Sequence, residues 1–285
     1  MAIHKILVPT DFSEPATKAL HFAAKIAGEN NSKVIIFHAV GLHLAVTAEE
    51  AEFNNAFELE KIENEQLAAL RLSLGKRYPK TEFEALTKTG FPVELIPECA
   101  SSRGVDLIVM GTRGASGMKE ILVGSNTSSL IRHTEIPVLA VPEESEYQGM
   151  NKIVFATNMQ PDDIVSLKKI IALFGKKNPE ITLLHIEDGH ARDPEAALRN
   201  WFQTEVLPTI KYAGIKAESI SETDIVKTLH DYLSVNKTDL LVTATRKRNF
   251  IERIFDRSIT QRLVFHTKIP LLAIHSHGSK GEIVL

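Results

Sequence analysis

The chain carries short apolar runs that are continuous rather than alternating between apolar and polar residues. In the first half, the four strongest runs cover residues 3–9, 34–39, 107–110 and 137–141. They are rich in β-branched residues, and uninterrupted runs of this kind are typical of strands covered on both faces of a sheet. The weaker run Glu82–Leu86 predicts a further strand.

Helical patterns separate these predicted strands. After the first run, Ser13 can cap a helix that accepts Pro15 in its first turn, with apolar positions at Ala16, Leu20, Ala23, Ala24 and Ala27. After the second run, Thr47–Glu50 has the form of a capping box. It opens a longer helix with a predicted buried stripe of Leu59, Ile62, Leu67, Leu70 and Leu74. The acidic residues from Glu49 to Glu65 are then its solvated side. Strands alternating with helices predict a parallel, doubly wound α/β sheet.

The second half of the chain repeats the first. Lys5–Asp11 aligns with Lys152–Asn158 at an offset of 147, and Asp106–Val109 aligns with Asp239–Val242 at an offset of 133. The second half therefore lacks 14 residues near its middle. A polar segment that begins after a proline joins the halves and is typical of a linker. The predicted units are a first domain at 1–142, a linker at 143–149 and a second domain at 150–277.

Composition narrows the class of protein. With 33 basic and 36 acidic residues, the net charge of -3 supplies no global attraction for nucleic acid or an anionic membrane. No run approaches the roughly 20 apolar residues that a membrane-spanning helix requires. The single cysteine, Cys99, excludes an internal disulfide, and its place on an apolar helix face indicates a core position. We expect a cytoplasmic protein.

Glycines follow the fourth predicted strand in a specific pattern. Gly111 and Gly114 are separated by two residues, and Gly124-Ser125-Asn126 opens a helix nine residues further on. Such glycines let a backbone approach a ligand closely, and free amides at a helix N-terminus bind anions, so the pattern favours a phosphate site. The alternative is that the glycines only shape a turn.

The repeat helps to separate these two interpretations. At the 133 offset, Ala244, Lys247 and Arg257 replace the three glycines. If the glycines were needed only for the turn, both halves would carry them, so a ligand role confined to the first half is favoured. By the same logic, the residues that recur are interpreted as parts of the fold, namely the pairs His38/His185, His133/His266 and Pro137/Pro270.

Several motifs together resemble the universal stress protein family in its tandem, two-domain form. They are Ile6–Ser13, Phe37–Ala39, the glycine spacing with Ser125, and Ile136–Val141. The resemblance implies a five-stranded parallel, Rossmann-like sheet in each domain. It also implies adenine-nucleotide binding at the strand ends, with ATP as the ligand, with or without Mg²⁺.

The resemblance also assigns roles to individual residues of the first half. Pro9, Thr10 and Asp11 would flank the adenosine, and Ala39 would contact the base. The phosphate loop would comprise Met110, Gly111, Arg113 and Gly114. The phosphates would be held by Gly124, Ser125, Asn126 and Thr127. Asn158 and the three replaced glycines depart from this pattern in the second half, which predicts one site per chain.

The final strands of the two halves would each leave an open sheet edge if a domain stood alone. The resemblance implies that single-domain members pair through this strand, and open edges favour pairing. A linker of about ten residues can span about 30 Å. We therefore expect Ile136–Val141 and Ile269–Ile274 to lie adjacent in an internal pseudo-dimer, with each half poorly soluble alone. A homodimer of whole chains is compatible with this arrangement.

Two other functions stay open at this point. One is an interaction module with an unknown protein partner and a vestigial nucleotide site. The other is a slow ATPase, in which Asp11 and Ser125 would meet near the bound phosphates. The basic loop 246–257 is either a solvated face or a surface for an anion, a nucleic acid or an acidic partner. The best-supported hypothesis is an ATP-binding stress-response protein whose second half has a pairing or regulatory role.

Overall fold

The computed structural model describes residues 3–41, 50–112, 125–187, 193–245 and 268–275. Within the first half of these ranges, strands and helices alternate as the sequence predicts. The elements are β1 Lys5–Pro9, α1 Glu14–Asn30, β2 Lys33–Val40, α2 Glu50–Arg77, β3 Glu82–Thr89, α3 Pro92–Arg103, β4 Leu107–Gly111, α4 Ser125–His133 and β5 Val138–Val141.

The second half follows the same order with a shorter middle. Its elements are β6 Lys152–Ala156, α5 Pro161–Phe174, a 3₁₀ turn Gly175–Lys177, β7 Glu180–Glu187, α6 Pro194–Trp201, a π-helical turn Phe202–Val206, α7 Leu207–Thr209, β8 Ile215–Ser221, α8 Ile225–Val235, β9 Leu240–Thr245 and β10 Leu271–His275. Between β2 and β3 lie 41 residues, but only 27 lie between β7 and β8, so the 14-residue difference falls there. None of the helices in the described ranges is long and apolar enough to cross a membrane.

The described strands form one ten-stranded sheet in the order β3-β2-β1-β4-β5-β10-β9-β6-β7-β8. Neighbouring strands within each half are parallel, whereas β5 and β10 are antiparallel. Leu139 lies directly opposite Leu272 across this junction. The predicted internal pseudo-dimer is confirmed. The carboxyl ends of the strands in the two halves consequently lie at opposite edges of the sheet.

Hydrophobic packing joins the two halves most extensively on one face of the sheet. On that face, a single cluster runs from Ile3 and α1 through Leu139 and Leu272 to α5. The other face carries two smaller clusters, one in the first half that extends to Ala273 of β10 and one in the second half. Cys99 is buried in the first of these, as predicted, and burial raises the pKa of its thiol.

The two halves reproduce each other down to single hydrogen bonds. The Nδ1 atoms of His38 and His185 lie 2.8 and 3.0 Å from the carbonyl oxygens of Thr10 and Thr157. Since a carbonyl only accepts, each Nδ1 carries the proton. The carbonyls of Pro137 and Pro270 likewise each accept an amide from the preceding strand. These recurring residues therefore build the fold, as interpreted from the repeat, while the pair His133/His266 lies outside the described side chains.

Helix α1 begins as predicted, but α2 departs from its predicted stripe. The Ser13 hydroxyl accepts from the Ala16 amide at 3.4 Å, which confirms the cap. In α2, Leu67 and Leu74 are buried, whereas Ile62 is 50% exposed, so the expectation that Ile62 belongs to the stripe was wrong. A 28-residue helix extends beyond the sheet surface that it can cover, and a helical repeat alone does not show where that surface ends. The proposed capping box at 47–50 begins outside the described residues.

The linker between the halves is held at both of its ends. The Ser145 hydroxyl donates to the Lys268 carbonyl just before β10, and Lys268 pairs with Glu144 at 3.2 Å. The Tyr147 hydroxyl donates to Glu29 near the end of α1 at 2.7 Å. These contacts attach the linker to both halves of the chain. The predicted domain bounds stay predictions.

Candidate functional site

Three neighbouring strands end at the same edge of the sheet in the first half. β1 lies between β2 and β4, and all three run parallel. In parallel sheets with helical crossovers, ligands bind beyond the carboxyl ends of the strands. The described site residues predicted from the sequence lie at this edge: Pro9, Thr10, Asp11, Ala39, Met110 and Gly111.

The loop after β1 is shaped by its own side chains. The Thr10 amide donates to the Phe37 carbonyl at 2.8 Å, which extends the pairing of β1 with β2 by one residue. The Thr10 hydroxyl accepts the Phe12 amide at 3.1 Å, and Phe12 has a left-handed backbone with φ of 60°. Asp11 is exposed, and its Oδ1 accepts the amide of Ser13 at 3.1 Å. An exposed carboxylate is thereby fixed where β1 meets α1.

A second set of contacts ties this loop to α2. The Phe12 ring packs on His38 with centroids 4.6 Å apart, and the other ring nitrogen of His38, Nε2, lies 3.3 Å from a carboxylate oxygen of Glu63. Glu63 was expected on the solvated side of α2, and that expectation was wrong. Nothing in the local helical pattern predicts this contact, because it joins residues that are 25 positions apart in the sequence.

The glycine that ends β4 has a packing role. A Cβ atom at Gly111 would lie 2.8 Å from the carbonyl oxygen of Pro15, so only glycine lets β4 approach the first turn of α1 this closely. The Thr127 hydroxyl, which is buried, donates to the Gly111 carbonyl at 3.0 Å. This bond holds the first turn of α4 at the end of β4.

Apolar residues underlie the candidate site at the carboxyl ends of these strands. Met110 is buried and packs in the cluster with Leu7 and Ile35, and Ala39 packs against the same cluster. Ser125 and Asn126 begin α4, and Asn126 is exposed. Three further predicted site residues, Arg113, Gly114 and Gly124, lie outside the described residues.

Comparison with known proteins places the chain in a family. The sequence model of the universal stress protein family matches it twice, at residues 2–142 and 150–275. The chain belongs to the universal stress protein family. This agrees with the resemblance drawn from the motifs.

Individual relatives match one repeat of this universal stress protein. The universal stress protein MJ0577 of Methanocaldococcus jannaschii is 31% identical over 164 residues, which are 50% of this chain and 96% of the relative. The universal stress protein YxiE of Bacillus subtilis is 32% identical over 146 residues, covering 48% of this chain and 98% of the relative. A solved universal stress protein structure from Archaeoglobus fulgidus covers 95% of this chain and 96% of its own, with a TM-score of 0.69 and 17% identity. That likeness shows the shared two-domain fold.

The second half of this universal stress protein closes the corresponding loop differently. Asp163, on α5, is 2% exposed, and its Oδ2 accepts from the Thr157 hydroxyl at 2.8 Å and from the amides of Asn158 and Gln160 at 3.1 Å. The matching position in the first half is Ala16, which has no polar side chain. In the second half, the Asp163 carboxylate therefore accepts hydrogen bonds from the amides of this loop. Comparing the two halves of the sequence did not identify this role of Asp163.

Proposed function

We propose that this universal stress protein binds one adenine nucleotide, ATP, at the carboxyl edge of its first half. The observation that carries the proposal is the hydrogen bond from the Thr127 hydroxyl to the Gly111 carbonyl. This bond supports a position of the α4 N-terminus at the end of β4, and β4 lies next to β1, which Asp11 follows. A helix N-terminus favours phosphate, and an exposed carboxylate accepts the hydroxyl groups of a ribose. We further propose that the protein acts in the cytoplasm in a stress response.

The residues at this edge suit the parts of a nucleotide. Ala39 offers apolar surface to a base, while Asp11 supplies an acceptor for the sugar. The predicted phosphate ligands are Gly124, Ser125, Asn126 and Thr127, with Arg113 and Gly114 in the preceding loop. The Asp163 hydrogen bonds that close the loop, and the replacement of Gly114 and Gly124 by Lys247 and Arg257, support a second half that pairs with the first and binds no nucleotide.

One ATP per chain is the expected stoichiometry in titration calorimetry. A second anion site in the basic loop would depend on Lys247 and would weaken with salt. Because we expect no such second site, Lys247→Ala should leave both the stoichiometry and the affinity of ATP binding unchanged at low and high salt. Two ATP molecules per chain, one of them lost in Lys247→Ala, would refute the assignment of a single site.

The strongest direct test of the site replaces Gly124 with arginine, the residue at the matching position 257. The long side chain would fill the space left for phosphate and remove several charge-assisted hydrogen bonds. We expect ATP affinity to fall by at least about 2 kcal/mol, or about thirtyfold, while the circular dichroism spectrum is unchanged. Gly75→Arg is the matched control, because a Cβ at Gly75 meets nothing within 4 Å. Equal affinities for Gly124→Arg and this control would disprove the proposed site.

A further inference from the structure

A cleft of about 360 Å³ opens on the first half at the opposite edge of the sheet from the candidate nucleotide site. The last turns of α1 and the C-terminus of α2 form its sides, and the linker closes one end. Ala24 and Gly28 provide an apolar floor, and Tyr78 and Tyr147 provide two aromatic walls. The volume is within the range of pockets that bind small molecules.

Both tyrosine rings are held in place by neighbours. The Tyr147 hydroxyl donates to Glu29 at 2.7 Å, and the ring packs edge-on against Phe22 with centroids 5.0 Å apart. The Tyr78 hydroxyl lies 3.1 Å from Nδ1 of His21. Fixed aromatic walls lose little conformational entropy when a ligand binds, so they favour a planar ring between them.

The rim of the cleft is basic. Lys25, Arg77 and Lys80 line it, and Glu29 is the one acidic residue among the lining residues. The carboxylate of Glu29 already accepts the Tyr147 hydroxyl. The pKa of the nearby His21 is lowered, first by burial and then by the positive charges of Arg77, Lys18 and Lys25. With three cationic side chains against one carboxylate, the rim has a positive electrostatic potential.

The second half shows that this opening is not required by the fold. Gly175 stands at the position that matches Gly28. There the ring of Tyr212 lies 3.6 Å from where a Cβ of Gly175 would be, and its hydroxyl donates to the Pro179 carbonyl at 2.8 Å. In the second half, Tyr212 therefore packs beside Gly175, the position that corresponds to Gly28 in the floor of the first-half cleft.

We propose that the cleft binds a small aromatic carboxylate, with its ring between Tyr78 and Tyr147 and its carboxylate on Arg77 and Lys25. Arginine pairs with carboxylates through two parallel hydrogen bonds, which makes Arg77 the main anchor. Since Tyr147 belongs to the linker, the ligand also stabilises the docked linker. This function is separate from nucleotide binding at the other edge of the sheet.

The test uses the full-length protein and 4-(trifluoromethyl)benzoate, observed by ¹⁹F NMR. We expect saturable binding of one molecule per chain, and at least tenfold weaker binding of the neutral 4-(trifluoromethyl)benzyl alcohol. Arg77→Gln should weaken binding of the benzoate about tenfold, whereas Arg71→Gln, on an exposed part of the same helix, should not change it. Saturating ATP should leave the benzoate bound.

A second variant tests the cleft by its shape. Gly28→Leu would fill the floor, because Gly28 lines the cleft and a Cβ there meets only the Thr81 hydroxyl within 4 Å, at 3.4 Å. We expect it to abolish benzoate binding, while Gly75→Leu retains it. Equal binding of the two probes, displacement of the benzoate by ATP, or identical binding to Arg77→Gln and Arg71→Gln would overturn the proposal.

Discussion

Replacing Leu272 with aspartate is expected to remove at least about 4 kcal/mol from the free energy of unfolding. Leu272 is 0% exposed and lies directly opposite Leu139, also 0% exposed, in the antiparallel pair that joins the two halves. The substitution deletes a core side chain and buries a carboxylate without a partner, and each change alone costs several kcal/mol. Both leucines belong to the large cluster that spans the two halves, so the damage reaches both halves.

The measurement is denaturant unfolding followed by circular dichroism and by the fluorescence of Trp201, the single tryptophan. Leu72→Asp is the matched control, because Leu72 is 56% exposed, and we expect it to change stability by less than about 0.5 kcal/mol. If Leu272→Asp behaved like Leu72→Asp, strands β5 and β10 would not form the junction in solution.

Residues 1–142 and 143–285, expressed separately, provide an independent check of the same junction. Each fragment would expose an unpaired edge strand and the apolar surface around it, and such edges promote aggregation. We expect low solubility for each fragment. Two fragments that are both stable, monomeric and soluble would contradict the importance of the β5–β10 pairing.

The sequence predicted those features that depend on local pattern and on the repeat. Continuous apolar runs located the strands of the first half, and the run at 82–86 proved to be part of the longer strand β3. The repeat also identified His38 and His185 as structural residues, since a side chain that bonds the same carbonyl in both halves recurs at the same offset. The match of the two final strands predicted the junction between the halves.

Features that depend on contacts between distant elements could not be predicted in this way. Glu63 looks like any other acidic residue on a helix surface, and only the packing of α2 over β2 brings it to His38. Gly111 was interpreted as leaving space for a ligand, but its Cβ position is limited by Pro15, from a helix about 100 residues earlier. The first-half cleft likewise depends on Tyr147. This residue lies in a polar linker, and nothing in the linker sequence indicates that it packs on α1.

Asp163 is the residue of the second half whose loss should be most damaging outside the hydrophobic core. Its buried carboxylate accepts the Thr157 hydroxyl and the amides of Asn158 and Gln160. Hydrogen bonds to a charged acceptor contribute about 1.5–3 kcal/mol each, and a buried donor left without a partner carries a desolvation cost. Asn158 and Gln160 are exposed residues, so water can replace part of the hydrogen bonding that their backbone amides lose when the carboxylate is removed.

For Asp163→Ala we expect about 3 kcal/mol of destabilisation, seen as a lower unfolding midpoint in Trp201 fluorescence. Asp163→Asn should lose less, because its side-chain oxygen still accepts an amide hydrogen bond. Asp231→Ala serves as the control, since that aspartate is 60% exposed and its carboxylate lies 3.4 Å from Nδ1 of the exposed His230. A surface contact of this kind contributes at most about 1 kcal/mol. If Asp163→Ala were as stable as Asp231→Ala, the carboxylate would not hold the loop closed. The proposed lack of a nucleotide site in the second half would then need another cause, such as the arginine at position 257.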